Sequence, residues 1–223
     1  MNAPKLNKIR GAIFDLDGTL FDSTHVWAHI DDVFLAKRGK IPTVEYKRAL
    51  AALGNREVAH FTIEYYSLPD TPEQLMQEWY EMAKDEYAHC VKLLPGVMEY
   101  LEHCYANKIK MAVVTSLARE LAVSGLENNG IAKFFDEVIT ADECGLSKSS
   151  PDIFTYTAAK LKALPCECIV FDDVAPAIRS AKLAGMTTVA VRDDKSLRED
   201  VPLYADTADF VIVDFTQAPL IGN

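Results

Sequence analysis

The sequence predicts an α/β fold: a doubly wound, Rossmann-like parallel sheet into which a block of α-helices is inserted. Three observations carry this prediction. Short apolar runs rich in β-branched residues recur along the chain, as expected of strands in a parallel sheet covered on both faces. Segments with helical spacing of apolar residues alternate with them. Over residues 21–93 the alternation stops, and helical patterns follow one another.

The first run, Gly11-Ala-Ile-Phe14, halts at the polar sequence Asp15-Leu-Asp17-Gly18-Thr19, which reads as a buried strand ending in a turn. In the block that follows, Trp27, Ile30 and Phe34 fall on one helix face, and Leu75, Trp79 and Met82 on another, with Tyr87 on a neighbouring face. Gly39, Pro42, Gly54, Pro69 and Pro72 punctuate these helices. Leu94-Pro-Gly-Val97 returns the chain to the sheet. Val97, Leu101, Cys104 and Tyr105 then share a helix face ahead of the strand Met111-Ala-Val-Val114. Ile153, Phe154, Thr157 and Leu161 do the same ahead of Ile169-Val-Phe171, and Ile178, Ala181 and Ala184 ahead of Thr187-Thr-Val-Ala-Val191. Phe210-Val-Ile-Val213 is the last strand. The expected division is a core of residues 1–20 and 94–223, with a helical domain over 21–93.

The balance of 23 Lys plus Arg against 33 Asp plus Glu, a net charge of −10, argues against a nucleic-acid surface, which needs clustered cations. No apolar run approaches the roughly 18–20 residues of a membrane span, and residues 1–10 lack the apolar stretch of a signal peptide. The five cysteines are an odd number with no C-x-x-C pair, so they read as reduced thiols of a cytoplasmic protein. Cys166 and Cys168, just ahead of a strand, are expected to pack in the core. A monomer is the expected state, with a dimer as the alternative.

Ligands of doubly wound sheets bind at the carboxyl ends of the strands. Collected there are Asp15 and Asp17, Thr115 and Ser116, and Asp172 and Asp173, with Lys148 in the loop spanning 145–152. A single Asp after a strand is usually a turn residue, a single Thr a helix cap and a single Lys a solvated charge. Together, in this order and spacing, they indicate chemistry. Four carboxylates on one edge repel unless a cation sits among them. All-oxygen ligands favour Mg²⁺ over zinc. The inventory suits phosphoryl transfer: one carboxylate attacks phosphorus, and another two residues on moves the proton. Thr115, Ser116 and Lys148 would meet phosphoryl oxygens, and Gly18 lets the backbone turn its amides toward them.

These motifs resemble the haloacid dehalogenase-like hydrolase superfamily over nearly the whole chain. The opening signature reads Phe14-Asp-Leu-Asp-Gly-Thr-Leu20 followed by Asp22-Ser23, the second Ala112-Val-Val-Thr-Ser116, and the third Lys148-Ser-Ser-Pro-Asp152. The fourth reads Phe171-Asp-Asp173 with Ala184-Gly-Met186. The helical insert is similar to the cap of the subclass containing phosphoglycolate phosphatase and β-phosphoglucomutase. The resemblance implies Asp15 as nucleophile and Mg²⁺ ligand, and Asp17 as general acid/base lending its backbone carbonyl to the metal. It implies Asp173 as a further ligand, with Asp172 beside it as ligand or support, and Thr115 and Lys148 on the phosphoryl group. The acid at Asp17 points away from dehalogenases, which lack it.

The expected function is therefore Mg²⁺-dependent hydrolysis of small phosphate monoesters through an aspartyl-phosphate, acting on a small phosphorylated metabolite. The alternative is a hexose-phosphate mutase. Against it stands Trp27, where mutases often carry His; in its favour, Gly54-Asn-Arg-Glu57 resembles the cap segment in which a mutase Arg meets a distal phosphate. Arg56, Trp27 and His25 are accordingly the candidate specificity residues. His25 and His29 have a zinc-compatible spacing, but no further ligand completes that set. A non-catalytic binding protein would tend to lose the nucleophile, the acid or the lysine, and all three are present.

Overall fold

The computed structural model describes residues 5–6, 8–50, 55–192 and 207–222. The chain forms two compact units, Met1–Ser23 with Val91–Asn223, and Thr24–Cys90. Strand β1 (Lys5–Leu6) is followed by β2 (Gly11–Phe14), all of whose residues are buried. The turn after β2 closes on itself: the Phe21 N–H donates to the Leu16 carbonyl (2.8 Å) and the Gly18 N–H to the Phe21 carbonyl (3.0 Å). Gly18 has φ 72°, a region that a Cβ would make costly.

Phe21 and Leu93 then form an antiparallel bridge, with the Asp22 N–H on the Lys92 carbonyl and the Leu94 N–H on the Leu20 carbonyl. The outgoing and returning chains are thus zipped together and belong with the sheet, so the helical unit starts at Thr24 and ends at Cys90.

That unit comprises α1 (Thr24–Ala36), α2 (Val44–Leu50), α3 (Asn55–Tyr66) and α4 (Pro72–His89). Thr71 starts α4 with a reciprocal cap, Thr71 Oγ1 accepting the Gln74 N–H and Gln74 Oε1 accepting the Thr71 N–H, and Pro72 follows at the first helical position. Phe34, Leu35, Tyr46 and Leu75 fill its core. Arg38 lies over the Phe34 ring (3.8 Å) and donates to Asp70 (2.8 Å) and Glu78 (2.9 Å), tying the end of α1 to α4.

The remaining described residues form α5 (Val97–Ala106), β3 (Lys110–Thr115), α6 (Arg119–Asn128), β4 (Glu137–Thr140), α7 (Ala141–Cys144), α8 (Pro151–Lys160), β5 (Cys168–Asp172), α9 (Ala175–Leu183), β6 (Thr187–Val191), β7 (Phe210–Ile212) and β8 (Leu220–Ile221). Among the described residues six strands form one parallel sheet in the order β4-β3-β2-β5-β6-β7, and β1 pairs in parallel with β8 apart from it. On one face Ile13, Ala112, Val114, Phe154 and Val170 pack together. Elsewhere in the core Phe14 stacks on Phe171 (5.0 Å between centroids), with Tyr100 and Phe215 against Phe171. Removing either stacked ring would cost about 3–5 kcal/mol. Gly96 opens α5 at φ 79°, and a Cβ there would lie 2.6 Å from the Thr216 nitrogen.

Four local readings differ from the structure. Strand β4 was not visible in sequence, because Glu137-Val-Ile-Thr140 is a short edge strand that opens on an acid. Tyr105 is 64% exposed; eight residues beyond Val97, it has drifted about 80° around the helix. Cys168 is buried in β5, but Cys166 is exposed in the turn before it. Thr115 and Asp172 are the last residues of β3 and β5 rather than the first residues after them.

Candidate active site

The sheet changes direction between its two central strands. From β2 the chain leads to β3 on one side, and from β5 to β6 on the other. This is the switch point at which open α/β sheets bind ligands. Phe14 pairs in register with Phe171 and with Val113, so Asp15, Asp172 and Thr115 emerge on the same edge. Asp15 is fixed to the neighbouring strand by its N–H, which donates to the Phe171 carbonyl at 3.0 Å.

Carboxylate oxygens of Asp15, Asp172 and Asp173 all lie within 4.8 Å of one another. Their residues are 5%, 1% and 8% exposed. Lys148 reaches into this group, its Nζ 2.7 Å from Asp15 Oδ1 and 2.7 Å from Asp172 Oδ2. Burial alone would depress the Lys148 ammonium, but the two carboxylates together outweigh it and hold the group protonated, above the ordinary lysine range. For Asp172 burial wins. It drives the carboxyl upward despite Lys148 and the Val174 N–H, and the charge on Asp15 adds to the rise.

Three nearly buried carboxylates offer only hard oxygen ligands, with no imidazole or thiolate in the group among the described residues. That donor chemistry fits a divalent metal of the oxygen-preferring class. Asp172 also accepts the Val174 N–H through Oδ1 (3.0 Å), which orients its carboxylate at the head of α9.

Thr115 is buried, and its Oγ1 accepts the Leu117 N–H at 3.1 Å; an accepting hydroxyl still has its own proton to donate. Ser116 follows it and is exposed. Asp17, in the turn with Gly18, is half-buried, and its Oδ1 accepts the Ser23 hydroxyl at 2.5 Å. Ser23 belongs to the opening signature, but periodicity and composition gave it no role; its contact with Asp17 emerges only once the turn has closed.

In the helical unit, His25 and His29 are exposed on α1, and Trp27 is half-buried with its ring 6.4 Å from that of Tyr87. Arg56 stands in the first turn of α3, but its side chain, like Gly54, lies outside the described residues.

Residues 12–191 match the haloacid dehalogenase-like hydrolase family. The chain belongs to this family. Among curated proteins it is 27% identical to the probable pseudouridine-5'-phosphatase of Drosophila melanogaster, over 92% of this chain and 93% of that one. It is 30% identical to the fructose-1-phosphate phosphatase YqaB of Escherichia coli, over 82% of this chain and 96% of the other. Among solved structures, a putative beta-phosphoglucomutase from Thermotoga maritima superimposes with a TM-score of 0.77 at 26% identity, over 92% and 94% of the two chains. In this family setting, the Asp cluster at the switch point is the hydrolase's candidate catalytic centre. No helix among the described residues is long and apolar enough to cross a membrane.

Proposed function

We propose that this hydrolase cleaves small organic phosphate monoesters, with Asp15 as nucleophile and Asp17 as general acid and base. The observation that carries the reading is the meeting of Asp15, Asp172 and Asp173 with Lys148 at the switch point of the sheet. A carboxylate held beside an ammonium and shielded from bulk water suits attack on a phosphoryl group, whose negative charge would otherwise repel it.

In the first half-reaction an Asp15 oxygen bonds to phosphorus, the bond to the ester oxygen breaks, and protonated Asp17 gives that oxygen its proton. The alcohol leaves, and Asp15 carries the phosphoryl group. In the second, Asp17 takes a proton from a water whose oxygen attacks phosphorus. The aspartyl–phosphorus bond breaks and inorganic phosphate departs. The Thr115 hydroxyl, Ser116 and the Lys148 ammonium serve the non-bridging oxygens, amides of the Gly18 turn assist, and Ser23 orients Asp17. The residues that would hold Mg²⁺ are Asp15, Asp173 and the Asp17 carbonyl, with Asp172 as ligand or support. When bound, the ion would offset the negative charge of carboxylates and phosphate.

The named relatives are a fructose-1-phosphate phosphatase and a probable pseudouridine-5'-phosphatase, so phosphate esters of sugars and nucleosides head the substrate list. Substrate selection is assigned, on the family resemblance, to the helical unit, with Arg56, Trp27 and His25 as its specificity residues. An odd number of cysteines with no C-x-x-C pair accords with a cytoplasmic location, and the proposed state is a monomer, with a dimer as the alternative. The likeness to a putative beta-phosphoglucomutase favours a second reading as a mutase, which would need a bisphosphate to turn over.

The test is phosphate release with Mg²⁺ from a panel of monoesters, with Asp15→Asn in parallel. Hydrolysis by the wild type that vanishes in the variant is expected. Release from no ester by folded protein, with turnover appearing only on adding a bisphosphate, would replace the phosphatase reading with the mutase.

A further inference from the structure

We propose that Arg119 and Glu143 are a positioning pair that holds the Thr115 loop and the Lys148 loop in a single geometry. The inference rests on the phosphatase reading, because it concerns the groups assigned there to the phosphoryl oxygens.

Arg119 opens α6 just past Thr115, and Glu143 lies in α7 shortly before Lys148. The Arg119 Nε donates to both Glu143 carboxylate oxygens (2.7 and 2.8 Å), and Nη2 lies 2.6 Å from Oε2. The same Nη2 donates to the Val138 carbonyl of β4 at 2.9 Å. Glu143 is fixed in turn, its Oε2 accepting the Thr140 hydroxyl (3.0 Å) while its own N–H donates to Thr140 Oγ1. One guanidinium therefore spans the segment after β3, the backbone of β4 and the helix that leads to Lys148.

Between α7 and Lys148 the chain has little slack. Gly145 caps α7 at φ 66°, and the Leu146 N–H donates back to the Ala141 carbonyl. Lys148 then sits in a turn closed by the Ser149 N–H on Ser147 Oγ (3.1 Å) and the Ser150 N–H on the Ser147 carbonyl (2.9 Å). A rotation of α7 would be passed on to the ammonium. A helix of four residues cannot hold itself, and among the described residues β4 has a strand partner on one side only, so this corner depends on side-chain ties. The planar guanidinium fork suits the task, and an ammonium could not make the same set of bonds.

The pair's side chains are 44% and 47% exposed. An exposed ion pair adds little to stability, whereas an ångström of misplacement at a reacting group can cost about 100-fold in rate. The signature of positioning is thus an activity loss that outruns any loss of stability.

The experiment compares wild type, Arg119→Ala, Arg119→Lys, Glu143→Gln and the Arg119→Ala/Glu143→Gln double variant. Readouts are kcat and KM on the best ester of the panel, affinity for inorganic phosphate in Mg²⁺ buffer, and melting temperature. Expected are a loss in kcat/KM of about tenfold or more in each single variant, weaker phosphate binding, and melting within a few degrees of wild type. Lys should recover only part, and the double variant should lose no more than the worse single. Full activity with unchanged phosphate affinity, or losses that merely follow the melting temperature, would overturn the pair's role. A wild type that hydrolyses no ester refutes the phosphatase reading instead, and phosphate affinity across the same variants still decides for or against the pair.

Discussion

The hydroxyl of Ser23 donates to Asp17 Oδ1 across 2.5 Å, and Ser23 has no exposed surface. A buried hydroxyl on a carboxylate fixes which way the carboxylate faces, and a charge-assisted bond of this kind contributes about 1.5–3 kcal/mol. Ser23→Ala should therefore lower kcat by about tenfold with little change in KM, and Ser23→Thr should keep most of the rate. Steady-state kinetics check this, and an unaltered kcat in the alanine variant would remove Ser23 from the mechanism.

Lys148 is the cation facing both Asp15 and Asp172. Removing one partner of a buried charge group leaves the others uncompensated, at a cost of about 3–5 kcal/mol. Lys148→Met should show a correspondingly lower urea midpoint in metal-free buffer and a rate at least about 100-fold down. Added Mg²⁺ should return part of the stability but not the rate. Equal midpoints for the two proteins without metal would count against a charge-balancing role.

Mg²⁺ binding should itself be visible in melting curves. A ligand at about 100 times its Kd stabilises by about 2.7 kcal/mol, and the Asp15, Asp172 and Asp173 cluster is where it would act. The wild type should melt higher as Mg²⁺ is added, and Asp173→Asn should lose most of that shift. A shift of the same size in the variant would place the ion elsewhere.

Asp31 predicts a pH effect in the helical unit. Its carboxylate accepts the Tyr46 hydroxyl at 3.0 Å, and burial pushes its pKa up to about 6 against the pull of Tyr46 and Lys47. The folded value lies above the unfolded 3.8, so the folded protein binds this proton more tightly. Its contribution favours folding below about pH 4, fades as pH rises toward 6, and becomes a constant penalty above. Asp31→Asn should accordingly stabilise the protein at pH 8 by about 1–2 kcal/mol, a figure discounted for partial exposure, and not at pH 3.5. Denaturant midpoints at the two pH values decide it.

Much of the core was legible because its signals are local. Gly11-Ala-Ile-Phe14 is apolar throughout and stops at a turn, and so announces both a buried strand and the strand end where Asp15 stands. The relation of Arg119 to Glu143 was not legible, since the two lie on different elements and each alone reads as a solvated charge. One clue was present: Thr140 and Glu143 have the spacing of a helix-capping pair, which marks the start of α7 and hence the end of the unseen β4. Ser23 illustrates the same limit, for its contact with Asp17 exists only after Phe21 has folded back onto Leu16.

The sequence by itself determined the alternation of strands and helices, the interruption by a helical block, and the set of polar residues standing at strand ends. Periodicity, turn residues and capping act over a few neighbouring positions, so a single chain displays them. Only the tertiary structure decided the strand order β4-β3-β2-β5-β6-β7, the pairing of β1 with β8, and the reach of Lys148 to Asp15 and Asp172. Those partners lie far apart along the chain, and the pattern of one strand does not specify which other strand will pair beside it.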